Sequence, residues 1–248
     1  MARFLPSFST DWFRFSNWRY FPIPSVCMLC KSYYRGSDAI CLECYTYFKP
    51  LPQHCATCAV PISSISLECR NCAREQPVYD ETITAYAFEE PLRTLLHRYK
   101  YQGALHLRSV FVRLMAEAYA KRRHDTIKTQ CLIPVPLHAK KLRARGFNQA
   151  SEFAAALGEQ FAIPYHFQYC TRRIAAESQA SSTALQRRQN LLNAFNVKPL
   201  PYKHVTLVDD VVTTGSTVNA LAKILKKQGV ERVSVWCCAR TVPRSHVI

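Results

Sequence analysis

The chain has 248 residues, with 33 Lys+Arg against 17 Asp+Glu for a formal charge of +16, 12 cysteines and only 6 glycines. With 48% hydrophobic and 20% charged residues it can bury a core, which excludes a disordered polyelectrolyte; its length excludes a miniature disulfide scaffold. No run of 18 apolar residues suggests a membrane span, so a soluble chain of one or two domains is expected.

Residues 1–22 are rich in aromatics: Phe4, Phe8, Trp12, Phe13, Phe15, Trp18, Tyr20 and Phe21. They lack the continuous apolar run and small-residue cleavage site of a secretory signal, so a cytoplasmic protein with reduced thiols is expected. Such a segment suits packing on the protein's own body, or docking on a partner or on the inner face of the membrane.

Residues 23–76 hold eight cysteines in four C-x-x-C pairs: Cys27/Cys30, Cys41/Cys44, Cys55/Cys58 and Cys69/Cys72. The first four recur 28 positions later, and Pro24 recurs as Pro52, giving two copies of C-x2-C-x10-C-x2-C. Each copy supplies the four thiolates of a closed, tetrahedral, structural zinc site. Two zinc ions are therefore expected, with sequential ligation the expected arrangement and an interleaved one left open by the spacing. The other cysteines, Cys131, Cys170, Cys237 and Cys238, are expected to be buried thiols.

A polar, proline-bearing stretch at residues 73–77 marks the boundary to a second domain, residues 77–248. There the pattern alternates: a strand over 82–88, helices over 91–101 and 105–123, a strand over 131–135 and a helix over 148–161. A polar stretch over 171–193 precedes a strand over 205–208, a helix ending near Gln228 and a strand over 232–239. Apolar strands alternating with helices predict an α/β fold with a mainly parallel sheet covered on both faces. The basic excess belongs to this part: residues 1–80 carry 8 basic and 6 acidic side chains, whereas residues 92–148 alone carry 13 and 2. Two Zn(Cys)4 sites at −2 each would lower the total charge to about +12 and make the first part slightly acidic.

The most informative segment is Val205-Thr-Leu-Val-Asp-Asp-Val-Val-Thr-Thr-Gly-Ser-Thr217. A strand delivers Asp209 and Asp210 to its carboxyl end, where open α/β sheets bind ligands. The turn Thr213, Thr214, Gly215, Ser216, Thr217 then leads into a helix, whose first N–H groups suit a phosphate. A second segment, Ile133-Pro-Val-Pro-Leu-His138 through Arg145-Gly-Phe-Asn-Gln149, carries Lys140, Lys141, Arg143 and Arg145 and must be solvated or matched to anions.

The 13 residues from Val205 to Thr217 resemble the phosphoribosyl diphosphate (PRPP) signature of type I phosphoribosyltransferases. P-V-P-L-H with R-G-F-N-Q resembles the ComF family of competence proteins, as do Leu96-His-Arg-Tyr-Lys-Tyr-Gln-Gly103, the Gln179 to Phe195 pattern and Ala239-Arg-Thr241. The resemblance spans about residues 22–242. It implies that Asp209 and Asp210 hold the ribose hydroxyls, directly or with Mg²⁺, and that Thr213, Thr214, Gly215, Ser216 and Thr217 cradle the 5′-phosphate. It further implies a role in DNA uptake during natural transformation, acting on incoming single-stranded DNA in the cytoplasm, with a competence helicase or DNA-processing protein as a partner. Diphosphate or nucleic-acid contact is expected from Lys100, Lys140, Lys141, Arg143, Arg145, Arg172, Arg173, Gln179 and Arg188. Arg98, Tyr99, Lys100 and Tyr101, with residues 140–147, are expected to track phosphates and stack bases.

Purine-salvage relatives carry an acidic base where this chain has Thr213, and neither an acceptor nor a general base is identifiable. Three readings follow: a PRPP-site protein that handles single-stranded DNA, an active phosphoribosyltransferase with an amine or base acceptor, and a zinc-organised adaptor with a vestigial site.

Overall fold

The computed structural model describes residues 24–62, 67–121, 128–173 and 192–242. The aromatic segment 1–22, Gln179 and Arg188 lie outside the described residues.

The two cysteine repeats fold in the same way. In the first, a hairpin of β1 (Ser25–Val26) and β2 (Tyr33–Tyr34) presents Cys27 and Cys30, and Cys41 is the N-cap residue of helix α1 (Leu42–Tyr45). In the second, a turn presents Cys55 and Cys58, and Cys69 is the N-cap residue of α2 (Arg70–Arg74). The 28-residue displacement extends to the backbone. Lys31 and Ala59 both take left-handed φ, 65° and 55°, and each donates its N–H to the carbonyl of the first cysteine of its repeat.

The sheet is built from β3 (Glu81–Ile83), β4 (Tyr86–Ala87), β5 (Cys131–Pro134), β8 (His204–Val212) and β9 (Arg232–Arg240). All pairings are parallel, in the order β3-β9-β8-β5, with β4 continuing along β9 beyond β3. Strand β8 runs past the expected end at 208 through both aspartates, because Asp209, Val211 and Val212 stay in register with Cys237, Ala239 and Arg240. The expected single strand over 82–88 is instead two short pieces, β3 and β4. Residues 49–51, between the repeats, hydrogen-bond to 85–87 and add to this edge.

Period-two alternation sends neighbouring strand residues to opposite faces. Leu132, Val208, Trp236 and Cys238 face α3 (Leu92–Tyr101), α4 (Arg108–Ala120) and α6 (Gln149–Phe161). Ile133, Leu207, Val235 and Cys237 face α7 (Ser216–Lys227) and the hairpin of β6 (Cys170–Arg172) with β7 (Phe195–Val197). Trp236, fully buried, stacks on Tyr119 and donates its indole N–H to the Met115 carbonyl at 3.0 Å, leaving its polar atom satisfied. The cysteine repeats divide between the two cores. Cys27, Cys41 and Cys44 join the first, and Cys55, Cys58, Cys69 and Cys72 join the second.

Candidate functional site

The carboxyl ends of β8 and β5 place two segments side by side. After β8, Gly215 adopts φ 78° and forms the N-cap of α7 without a side-chain cap. A Cβ there would stand 2.9 Å from Tyr79 Oη, so the loop lies directly on a buried tyrosine and only glycine fits. Thr214 Oγ1 accepts from the Ser216 N–H at 3.3 Å and lies 2.9 Å from Ser216 Oγ. Thr213, Thr214 and Ser216 are exposed and Thr217 is half-buried, and the first turn of α7 carries no acidic residue. The loop therefore offers hydroxyls and the positive end of the α7 dipole to an anion.

Asp209 and Asp210 are both partly buried at the edge of this loop. Desolvation, then the adjacent Asp210 charge, push the Asp209 carboxyl well above the usual carboxylate range, although it accepts the Asp210 N–H at 2.8 Å. Lys100 Nζ, at the end of α3, pairs with Asp210 Oδ2. Arg172 lies over the Phe195 ring at 5.4 Å; burial lowers its pKa while the Asp209 charge opposes that shift. Two carboxylates and two cations thus lie beside the loop, and the carboxylate oxygens are the hard donors a divalent cation such as Mg²⁺ takes.

The basic segment after β5 forms a helix that the sequence reading did not anticipate, α5 (Ala139–Arg145). His138 Nδ1 accepts from the Lys140 N–H at 3.1 Å to start it, and Gly146 at φ 82° ends it. Lys100, Tyr101, Gly103, Lys141, Ala144, Arg145 and Phe147 line a hollow of about 250 Å³ between α3 and α5. The Arg145 guanidinium sits 4.8 Å from the Tyr101 ring, which is 63% exposed. Lys140 and Arg143 are exposed on α5 but do not line the hollow. Arg173 is also exposed, its backbone N–H holding the β6–β7 hairpin through the Ala194 carbonyl.

Tyr99 departs from its expected role in base stacking. It is 1% exposed and stacks on Phe153 inside the core, because α3 turns this position toward the sheet. Arg98 reaches the Met28 carbonyl at 3.4 Å, toward the first cysteine repeat.

The four thiols of each repeat converge, with all sulfurs of a group within 4.8 Å of one another, in the sequential arrangement. A tetrahedron of four Zn–S bonds of about 2.3 Å has edges of about 3.8 Å. Cys30 and Cys41 sulfurs stand 3.8 Å apart, and Cys58 and Cys69 sulfurs 3.6 Å. Backbone N–H groups point at sulfur, from Cys41 to Cys27 at 3.3 Å and from Cys72 to Cys69 at 3.4 Å. Burial alone would raise the Cys27 thiol, yet the N–H groups of Cys41, Cys30 and Leu29 bring it down to about 6, favouring the thiolate a metal takes. The donor set and its spacing fit zinc in both groups. Cys131, Cys170, Cys237 and Cys238 are buried thiols, as expected.

Two residues near the loop had no role assigned from sequence. Tyr79, under Gly215, is set there by the chain that leaves the second cysteine repeat. Burial first, then the Cys58 charge, raises its phenol pKa, with Arg240 opposing. Arg240 stood within the Ala239-Arg-Thr241 motif, and only the fold reveals its partners.

The chain matches the phosphoribosyl transferase domain family over residues 144–243, from the end of α5 to just beyond β9. It is 37% identical over 173 residues to competence protein F of Haemophilus influenzae, covering 67% of this chain and 76% of that one. It is 33% identical over 172 residues to DNA utilization protein YhgH of Escherichia coli O157:H7, covering 68% and 76%. To competence protein ComFC of Streptococcus pneumoniae it is 28% identical over 161 residues, covering 62% and 66%. A parallel sheet of phosphoribosyltransferase type, cysteine clusters built into both its cores and this identity across three quarters of a relative place the chain in the competence protein F (ComF) family.

Proposed function

We propose that this protein acts in DNA uptake, handling incoming single-stranded DNA in the cytoplasm, and that its phosphate loop binds PRPP or another phosphorylated ribose with Mg²⁺. The names of its relatives, a competence protein and a DNA utilization protein, support the cellular role. One observation carries the molecular reading: Lys100 both pairs with Asp210 beside the loop and lines the hollow with Lys141, Arg145 and the exposed Tyr101. A sugar phosphate at the loop and a nucleic-acid backbone along α5 would compete for the same lysine. Asp210 holds this lysine, and a bound diphosphate or DNA phosphate draws it away. Basic side chains beside an exposed aromatic suit single strands, whose phosphates need cations and whose bases need a flat surface.

The test is a competition titration. Labelled single-stranded DNA is titrated at low salt, with and without PRPP and Mg²⁺, by fluorescence anisotropy. PRPP should weaken DNA binding to the parent and have no effect in the Asp209→Asn/Asp210→Asn variant. Absence of single-strand binding at low salt sinks the DNA half of the proposal, and absence of PRPP binding by calorimetry sinks the ribose half.

A further inference from the structure

One buried side chain joins the second cysteine cluster to the phosphate loop. Arg240, at the end of β9, is 4% exposed. Its Nε donates to the carbonyl of Cys58 at 2.7 Å, and its Nη1 donates to the carbonyls of Val212, at 2.9 Å, and Thr213, with Thr241 at 3.3 Å. Cys58 belongs to the second cluster; Val212 and Thr213 are the last strand residue and the first loop residue before Gly215. The fork of the guanidinium thus spans from a metal-ligating turn to the start of the loop, a reach that needs two differently directed donors.

Among the described residues Arg240 has no carboxylate partner, and a buried guanidinium needs a counter-charge. Four thiolates around a divalent ion leave −2 directly beyond the Cys58 carbonyl. The chain leaving this cluster is also fastened to α7. Asn219 Oδ1 accepts the Val78 N–H at 2.6 Å, Lys226 pairs with Asp80 at 2.8 Å, and Tyr79 lies under Gly215. The first cluster has no such contact with the loop among the described residues. It packs against the α3 and α4 face, reaching α3 through Arg98 and the Met28 carbonyl.

We infer that Arg240 is a positioning residue that couples metal in the second cysteine cluster, and not in the first, to the shape of the phosphate loop. The metal-side charge holds the guanidinium in place, and the guanidinium fixes the two carbonyls from which the loop departs. Its ligand-binding half rests on the reading of that loop as a phosphate site.

The test uses the full chain loaded with zinc and follows metal release to excess chelator, with Cys30→Ser identifying the phase of the first cluster. In Arg240→Gln, zinc should leave the second cluster about 10-fold to 100-fold faster, as when a group supporting a metal ligand is removed, while release from the first cluster is unchanged. Arg240→Lys, which keeps the charge and loses the fork, should fall between. Because coupling of binding free energies is reciprocal, saturating PRPP and Mg²⁺ should tighten zinc at the second cluster of the parent, and not at the first, in an equilibrium competition with chelator. Unchanged release from both clusters in Arg240→Gln, or equal acceleration of both, overturns the inference. So does PRPP that binds by calorimetry yet tightens zinc at neither cluster or at both alike. If PRPP does not bind the parent, the phosphate-site reading fails, and the two Arg240 variants still decide the link to the metal.

Discussion

Asp209 and Asp210 stand next to each other at the end of a buried strand, an arrangement that costs stability in the absence of a ligand. An aspartate whose folded-state pKa lies above its unfolded value holds its proton more tightly when folded. Its contribution is therefore favourable at low pH and is lost as pH rises from about 4 toward the raised native value. Asp209→Asn should raise the ligand-free unfolding midpoint at pH 7 by roughly 2–4 °C, corresponding to about 1 kcal/mol in a chain of this size, while losing PRPP binding. Scanning calorimetry at pH 7 and pH 4 checks this: the gain should shrink at pH 4, and a loss at pH 7 would contradict the account. The placement of these two aspartates at the carboxyl end of a strand was legible in the sequence because its signal is local, carried by thirteen consecutive residues. Arg240 was not, because its partners Cys58 and Val212 lie 182 and 28 positions away.

Helix α5 has four cations in seven residues and no buried side chain, so packing does not explain it. It exists because His138 starts it and Gly146 stops it, and it is too short for hydrophobic periodicity to announce. The hairpin of β6 and β7 escaped for a related reason: its strands are three residues each and separated by a long polar stretch. If α5 is the nucleic-acid face, Lys141→Ala and Arg145→Ala should each lower the salt slope of single-strand binding by about 0.7, the share of one phosphate contact. Arg145→Ala should also weaken binding further, since it removes the group lying over Tyr101. Lys203→Ala, next to the amino end of β8 and paired with Glu231, is the control and should leave the slope unchanged. Anisotropy over a salt series reads all three.

At the scale of the whole molecule, the cysteine repeats flank the sheet instead of standing apart from it. The first contributes Cys27, Cys41 and Cys44 to the core beneath α3, α4 and α6, and the second contributes all four cysteines to the core beneath α7. Metal removal should therefore loosen both faces together. Chelation should lower the unfolding midpoint by at least about 10 °C and leave one cooperative transition. Calorimetry that resolved a metal-sensitive transition, followed by a second at an unchanged temperature, would show that the clusters fold apart from the sheet.

By itself the sequence determined the elements whose cause is local: the repeated thiol spacing that brings four sulfurs together, the alternation that buries strands between helices, and the aspartate and glycine pattern of the loop after β8. The tertiary structure decided which of these touch. It placed one cluster on each face of the sheet, sent Tyr99 into the core while leaving Tyr101 outside, joined Lys100 to Asp210 across 110 residues, and stretched Arg240 from the turn of the second cysteine cluster to the loop after β8. Those contacts depend on which strands become neighbours and which way their side chains point, and both follow only from packing two cores against one sheet.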